Sequence, residues 1–244
     1  MIVKTASRSE TGLVRKTNQD SVLCLPEANV FAIADGMGGG SGGELASRMV
    51  CEDLARAVHA GSYLRRIDEI AGAVSAANAR IFEYARAQGF RQMGSTVVLL
   101  ALDDARFDRG VVGYVGDSRV YRVRDGAAEL LTRDHSVGAE LDQAVAGAEG
   151  RFSARSNPLA HILTRAVGTK EEVQVEWRKV DIAAGDRFVI CSDGVHDVVD
   201  TDVLAGLVAH GTLEKAADAL ERKVVACGAP DNYSFVIVEI GGAR

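Results

Sequence analysis

In the first third of this chain, apolar residues recur at helical spacing in two adjacent segments. Almost everything on either side of them reads as short strand. Leu45, Met49, Val50, Leu54, Ala57 and Val58 share one helical face, and Ile67, Ile70, Ala71, Val74, Ala77, Ile81, Phe82 and Ala85 share another. The strand-like runs are Ile2–Ala6, Val22–Leu25, Val30–Ala34, Thr96–Leu102, Gly110–Val115, Arg119–Arg124, Val173–Asp181, Arg187–Cys191 and Tyr233–Ile240. Two more helices are predicted at about Asp202–Ala209 and Leu213–Ala226, with Thr212 as the N-cap of the second. A parallel sheet of βαβ units needs strand and helix to alternate, and here they do not. The order predicts largely antiparallel sheets covered by helices, an α+β layered domain.

One region resists this reading. Residues 137–160 are rich in Ala, Gly, Ser and Arg with weak periodicity, and are expected to form a flap-like insertion in an otherwise single domain over 1–244. Three prolines leave little room for a linker.

Net charge is −6 with no block of like charge, which argues against nucleic acid or an anionic membrane surface as the main partner. The longest strongly apolar run, Val97 to Leu102, is far too short to span a bilayer, and the N-terminus MIVKTASRSETG has no apolar signal core. Cys24, Cys51, Cys191 and Cys227 form no C-x-x-C pair and read as buried reduced thiols.

The stretch VFAIADGMGGGSGGELAS places six glycines in the eight residues after Asp35. Gly38 to Gly43 matches G-x-G-x-x-G, but a helical segment follows the first helix where a dinucleotide fold needs a strand. No Gly-Lys-Ser/Thr follows either, so a P-loop is excluded. What remains is Asp35, at the end of an apolar run.

It has company. Arg187–Cys191 leads through Ser192 to Asp193-Gly194, Gly110–Val115 leads through Gly116 to Asp117, and Asp231-Asn232 opens the last strand. Asp20 opens the strand at Val22. In antiparallel pairing the start of one strand neighbours the end of another, so these acids are expected to meet at one edge of the sheets. Asp125-Gly126 sits between polar-alternating strands and reads as an ordinary hairpin turn. Clustered carboxylates repel unless a cation compensates. Oxygen-only ligands suit Mg²⁺ or Mn²⁺, and a carboxylate bridging two ions makes a binuclear centre that activates water towards phosphorus. The residues thus point to a metal-dependent phosphoester hydrolase.

The motifs resemble, in family order, those of the metal-dependent protein phosphatases, the type 2C or PPM family of Ser/Thr phosphatases, in its bacterial branch. They are Arg15-Lys-Thr-Asn18-Gln19-Asp20, Asp35-Gly36-Met37-Gly38-Gly39, Gly94-Ser95-Thr96, Gly116-Asp117-Ser118-Arg119, Asp134-His135-Ser136, Leu163 to Gly168, Ser192-Asp193-Gly194 and Asp231-Asn232. The resemblance implies a β-sandwich of two antiparallel sheets flanked by helix pairs, in α-β-β-α layers, with two Mn²⁺ or Mg²⁺ ions at one end. Asp35 would bridge both ions, the Gly36 carbonyl would bind one, and Asp193 and Asp231 the other. Asp20 would act through bound water, helped by Gln19. Asp117, Asp193 and Asp197 would hold the third ion of many bacterial members. Arg15 would grip the substrate phosphate, and Asn232 would orient Asp231. The implied substrates are phosphoserine and phosphothreonine on proteins, in a cytoplasmic monomer that opposes a Ser/Thr kinase. The alternative is a non-catalytic phospho-binding or regulatory module on the same fold.

The sequence departs from the family at three places. Gln19 stands where many relatives have Glu. Gly40 and Met37 stand where bacterial and eukaryotic members respectively keep a histidine, so the usual proton donor is absent and His161 and His196 are the substitutes to weigh.

Overall fold

The computed structural model describes residues 2–39, 41–58, 63–103, 108–145, 159 and 161–241. Its strands are β1 (Val3–Glu10), β2 (Asp20–Leu25), β3 (Val30–Gly38), β4 (Met93–Ser95), β5 (Val97–Leu102), β6 (Arg109–Val115), β7 (Arg119–Arg124), β8 (Ala127–Leu130), β9 (Glu176–Asp181), β10 (Arg187–Cys191) and β11 (Tyr233–Ile240). Its helices are α1 (Gly42–Ala57), α2 (Tyr63–Gln88), α3 (Val137–Val145), α4 (Asp193–His196), α5 (Thr201–Val208) and α6 (Leu213–Ala226).

The strands form two antiparallel sheets. One runs β1-β11-β10-β7-β8 and the other β2-β3-β5-β6-β9, with β4 paired to β3. Apolar residues on successive positions of each central strand serve two different cores. In β3, Phe31 and Ile33 face the other sheet, where they meet Phe188, Ile190, Val236 and Val238. Val30, Ala32 and Ala34 face outward and pack under α1 and α2. The mirror arrangement holds for Val189, Cys191, Phe235 and Ile237, which pack under α5 and α6. This is why the apolar runs read as continuous: both faces are buried. The layers are α-β-β-α, as expected.

Local chemistry sets the details. Asp125 and Gly126 both take positive φ and close the β7–β8 hairpin. Thr212 caps α6 by accepting the Lys215 N–H at 3.4 Å. One strand went unanticipated, β4, of three residues, too short to show a period, whereas β8 is the second arm of the hairpin expected at Asp125-Gly126. Of the segment expected as a flap, residues 137–145 are helical, and 146–158 and 160 lie outside the described residues, as does Gly40. The four cysteines are free, but only Cys51 and Cys191 are buried. Cys24 is half-buried, and Cys227 is exposed because it caps the outer end of α6. Burial pushes the Cys51 and Cys191 thiols up to about 12, so neither is poised as a nucleophile.

Candidate metal centre

The acids singled out in the sequence lie at or near strand ends, apart from Asp35, which lies inside β3, and Asp197, which follows α4. Asp35 follows the fully buried run Val30–Ala34 in β3. Asp20 opens β2 and stands opposite Asp35 in the ladder. Asp193 begins α4 directly after β10 and Ser192. Asp231 stands two residues before β11. Asp117 lies in the short connection by which the chain crosses from β6 in one sheet to β7 in the other. The topology therefore gathers acids from both sheets at one end of the sandwich. Asp35, Asp117 and Asp193 line a single cavity of about 560 Å³.

The scaffold around them is hydrogen-bonded. Thr96 N–H donates to the Asp35 carbonyl at 2.8 Å, and Asp35 N–H donates to Thr96 Oγ1 at 3.0 Å. Ser95 Oγ donates to the same carbonyl at 3.0 Å. Thr96 Oγ1 lies 2.7 Å from Ser118 Oγ, which links this end of β3 to the residue after Asp117. Here the Gly94-Ser95-Thr96 motif acts as a clamp on the Asp35 backbone. His135 accepts the Gly116 N–H on Nδ1 at 3.1 Å, so its Nε2 carries the hydrogen, 3.1 Å from Glu176. Burial holds His135 below its ordinary range and keeps it neutral.

On the other side, Ser192 Oγ donates to Asp20 Oδ2 at 2.7 Å and accepts the Ser234 N–H at 3.0 Å. Asn232 orients Asp231 through its backbone N–H, 2.8 Å from Oδ1. Its side chain instead accepts from Gln19 N–H and donates to the Thr11 and Thr17 carbonyls, pinning the loop that carries Arg15. Gln19 Nε2 donates to the Gly38 carbonyl at 3.3 Å. The exposed Arg15 pairs with Asp231, Nη2 to Oδ2 at 2.6 Å, and feels Asp193 and Asp35 electrostatically.

The glycines have a steric purpose at two points. A Cβ on Gly36 would lie 2.0 Å from the Gly43 carbonyl oxygen, so only glycine lets β3 pass under the start of α1. A Cβ on Gly194 would lie 1.9 Å from the Asn232 carbonyl oxygen, so only glycine lets α4 abut the start of β11.

Electrostatically the cluster is strained. Burial first, then the charges of Asp193, Asp20 and Asp117, pushes the Asp35 carboxyl well above its ordinary 3.8. Burial pushes Asp20 up to about 6 and, with Asp193, pushes Asp117 up to about 7. Asp193 also rises, through burial and then Asp197 and Asp231, against the relief that His196 supplies. Asp20 Oδ1 is buried without a hydrogen-bond partner. Carboxylates held close, desolvated and left unsatisfied fit a hard divalent cation. Among the described residues, no group of three or more His, Cys, Asp or Glu side chains stands in a metal-holding arrangement.

The two histidines separate. His161 lines the cavity, 73% exposed, with Nδ1 3.9 Å from Asp197. His196 is buried in α4, and its Nε2 lies 3.1 Å from the Asp117 carbonyl, so it supports the Asp117 loop. Met37 lines the cavity.

Known proteins of similar sequence and fold point to one family. The family model described as "Protein phosphatase 2C" matches residues 12–225. The serine/threonine protein phosphatase PstP of Mycobacterium tuberculosis is 32% identical over 247 residues, covering 98% of this chain and 45% of that protein. The chain thus spans about half the length of that relative. Among solved structures, PppA, "a key regulatory component of T6SS in Pseudomonas aeruginosa", superposes with a TM-score of 0.88 at 33% identity, covering 98% of both chains. The catalytic domain of PstP in complex with two manganese ions superposes with a TM-score of 0.84 at 29% identity over 99% of both chains. From the acids at its strand ends to the match over nearly its whole length, the chain belongs to the protein phosphatase 2C family.

Proposed function

We propose that this chain hydrolyses phosphoserine and phosphothreonine on proteins, using Mn²⁺ or Mg²⁺. The observation that carries the proposal is the convergence of Asp35, Asp117 and Asp193, from both sheets, on one cavity beside the unsatisfied Asp20 Oδ1. In this reading Asp35, the Gly36 carbonyl, Asp193 and Asp231 hold two ions, with Asp20 acting through water. Asp117, Asp193 and Asp197 form the place for a third. The Mn²⁺-bound PstP structure supports manganese as one ion that such a fold accepts. When bound, a pair of divalent ions supplies a nucleophile from water at neutral pH and offsets charge on the phosphoryl oxygens.

The remaining steps belong to the side chains. Arg15 pairs with Asp231 and presents a planar fork suited to two phosphate oxygens. A substrate phosphate would compete with Asp231 for that fork. Gln19 and Asn232 keep the Arg15 loop docked through the hydrogen bonds described above. With Met37 at one of the family's histidine positions, His161 is the histidine on the cavity wall from which a proton could reach the departing alkoxide. We propose one catalytic domain, with residues 137–160 as an insertion leading into the His161 wall. Its substrates would be phosphoproteins, among them a Ser/Thr kinase.

The test is direct. The metal-stripped chain should be inactive on a phosphothreonine peptide and on p-nitrophenyl phosphate, and Mn²⁺ should restore both. Turnover that persists in excess chelator refutes the mechanism.

A further inference from the structure

The cavity that holds Asp35, Asp117 and Asp193 has a second wall of opposite character, formed by Phe82, Arg86, Phe90, Arg91 and Gln92. Arg86 stands in the last turn of α2 with its guanidinium carbon 5.7 Å from the Phe82 ring centroid, a cation–π contact that holds the fork against the wall. Gly89, at φ +71°, turns the chain off the helix, and Phe90 N–H donates back to the Ala85 carbonyl at 2.9 Å. Phe90 stacks on Tyr84 with centroids 6.2 Å apart. It also backs onto Gly42, where a Cβ would lie 3.2 Å from its ring. Both arginines are therefore delivered by well-anchored backbone.

Their lack of partners is the telling point. Arg8, Arg119, Arg122, Arg124, Arg178 and Arg187 each pair with a carboxylate. Arg86 and Arg91 are exposed, and among the described residues neither guanidinium makes an ion pair or a hydrogen bond. A chain of net charge −6 has acids to spare, so two unpaired cations on one cavity wall are not a shortage of partners.

We infer that this wall binds an acidic side chain of the substrate protein, close in sequence to the phosphorylated residue, with Arg86 and Arg91 holding its carboxylate while the phosphate sits at the acid cluster. The apolar faces of Phe82 and Phe90 carry the stem of that side chain. The inference rests on the phosphatase reading and adds a sequence preference to it.

The experiment uses the intact chain with Mn²⁺ and phosphothreonine peptides of Ala and Gly, with a single Glu moved through the flanking positions. At its best position, Glu should raise kcat/KM about three- to tenfold over the neutral peptide, mainly through KM. The advantage should shrink as salt is added. The Arg86→Ala/Arg91→Ala double variant should lose that advantage and keep its rates on the neutral peptide and on p-nitrophenyl phosphate. Equal kcat/KM at every Glu position, or a loss in the double variant that is as large on p-nitrophenyl phosphate, overturns the inference. Failure of the parent chain to turn over even p-nitrophenyl phosphate with Mn²⁺ would refute the phosphatase reading itself.

Discussion

Asp20 lies directly opposite Asp35 across the β2–β3 ladder, and the Asp20 oxygen that Ser192 does not satisfy is buried without a partner. Two carboxylates face each other across one strand pair, with Asp193 and Asp117 close enough to be felt by Asp35. Folding alone would not favour this arrangement, because like charges opposite one another destabilise a sheet. A bound cation reverses the sign.

The first consequence is a pH dependence of stability in the metal-free chain. Folding raises Asp20 to about 6 and Asp117 to about 7 from 3.8, and raises Asp35 as well. A carboxyl raised on folding binds its proton more tightly in the native state. Its contribution is therefore fully present below about 4 and is lost as pH rises through the folded values. His135, lowered by burial, gives the opposite slope but is one group against several. In EDTA, the melting temperature should be lower at about pH 8 than at about pH 5. A loss of about 1–2 kcal/mol corresponds to about 2–8 °C in a chain of this size. A melting temperature that climbs across that window in EDTA would contradict the strained cluster.

Removing one of the charges should separate stability from activity. Asp35→Asn relieves repulsion, so the metal-free variant should melt no lower than the parent. Its turnover should fall by at least about 100-fold, a larger effect than is usual for residues that only support a ligand. Stabilisation by Mn²⁺ should largely disappear as well. In the parent it is about 2.7 kcal/mol at one hundred times Kd. Thermal melts with and without Mn²⁺, beside phosphatase assays, read all three quantities. Normal turnover by the variant would remove Asp35 from the centre.

Arg15 makes a different prediction because it is exposed and, among the described residues, pairs with Asp231. Arg15→Ala should leave the melting temperature nearly unchanged and lower kcat/KM on phosphopeptides by about 10–100-fold, the range for a lost hydrogen bond to a charged group. Arg15→Lys should recover little, since an ammonium cannot span two phosphate oxygens. Full rescue by lysine would mean that Arg15 acts only as a diffuse charge.

The acids were legible in the sequence because each ends a continuous apolar run or opens one, and a strand buried on both faces leaves such a run. That Asp20 falls opposite Asp35 was not legible, since register depends on the partner strand. His161 and His196 could not be told apart, because the difference is which side of the four-residue helix α4 faces the Asp117 loop. Nothing in the sequence singles out Arg86 or Phe90. Only the packing of α2 beside β4 brings them to the cavity.

Asn78 shows the same limit. It looks like one polar residue on a helix, yet it is buried and spans about 90 residues of sequence. Its Oδ1 accepts the Gly168 N–H at 2.7 Å, and its Nδ2 donates to the Lys170 and Glu171 carbonyls at 3.0 Å each. It ties α2 to the segment that closes the cavity beside Thr169. Asn78→Ala leaves buried backbone groups unsatisfied and should destabilise by about 1–3 kcal/mol, equally with and without Mn²⁺. A change below about 0.5 kcal/mol in urea melts would mean that water replaces all three bonds.

The glycine of the Asp193-Gly194 pair and Gly206 in α5 predict opposite outcomes from the same substitution. At Gly194 a methyl group would meet the Asn232 carbonyl oxygen at 1.9 Å, and the nearest atoms are all backbone of Asn232 and Tyr233. Gly194→Ala must push α4 away from β11, and Asp193 moves with it. It should therefore destabilise by about 1–3 kcal/mol or more and weaken Mn²⁺ binding. At Gly206, inside α5, a Cβ meets nothing within 4 Å and the position is exposed. Gly206→Ala gains helix propensity and should stabilise by about 0.5–1 kcal/mol with unchanged activity. Urea melts of the pair, with Mn²⁺ titrations, distinguish a glycine required by close approach from one that is merely tolerated. If Gly194→Ala behaves like Gly206→Ala, the contact between α4 and the start of β11 does not hold Asp193 in place.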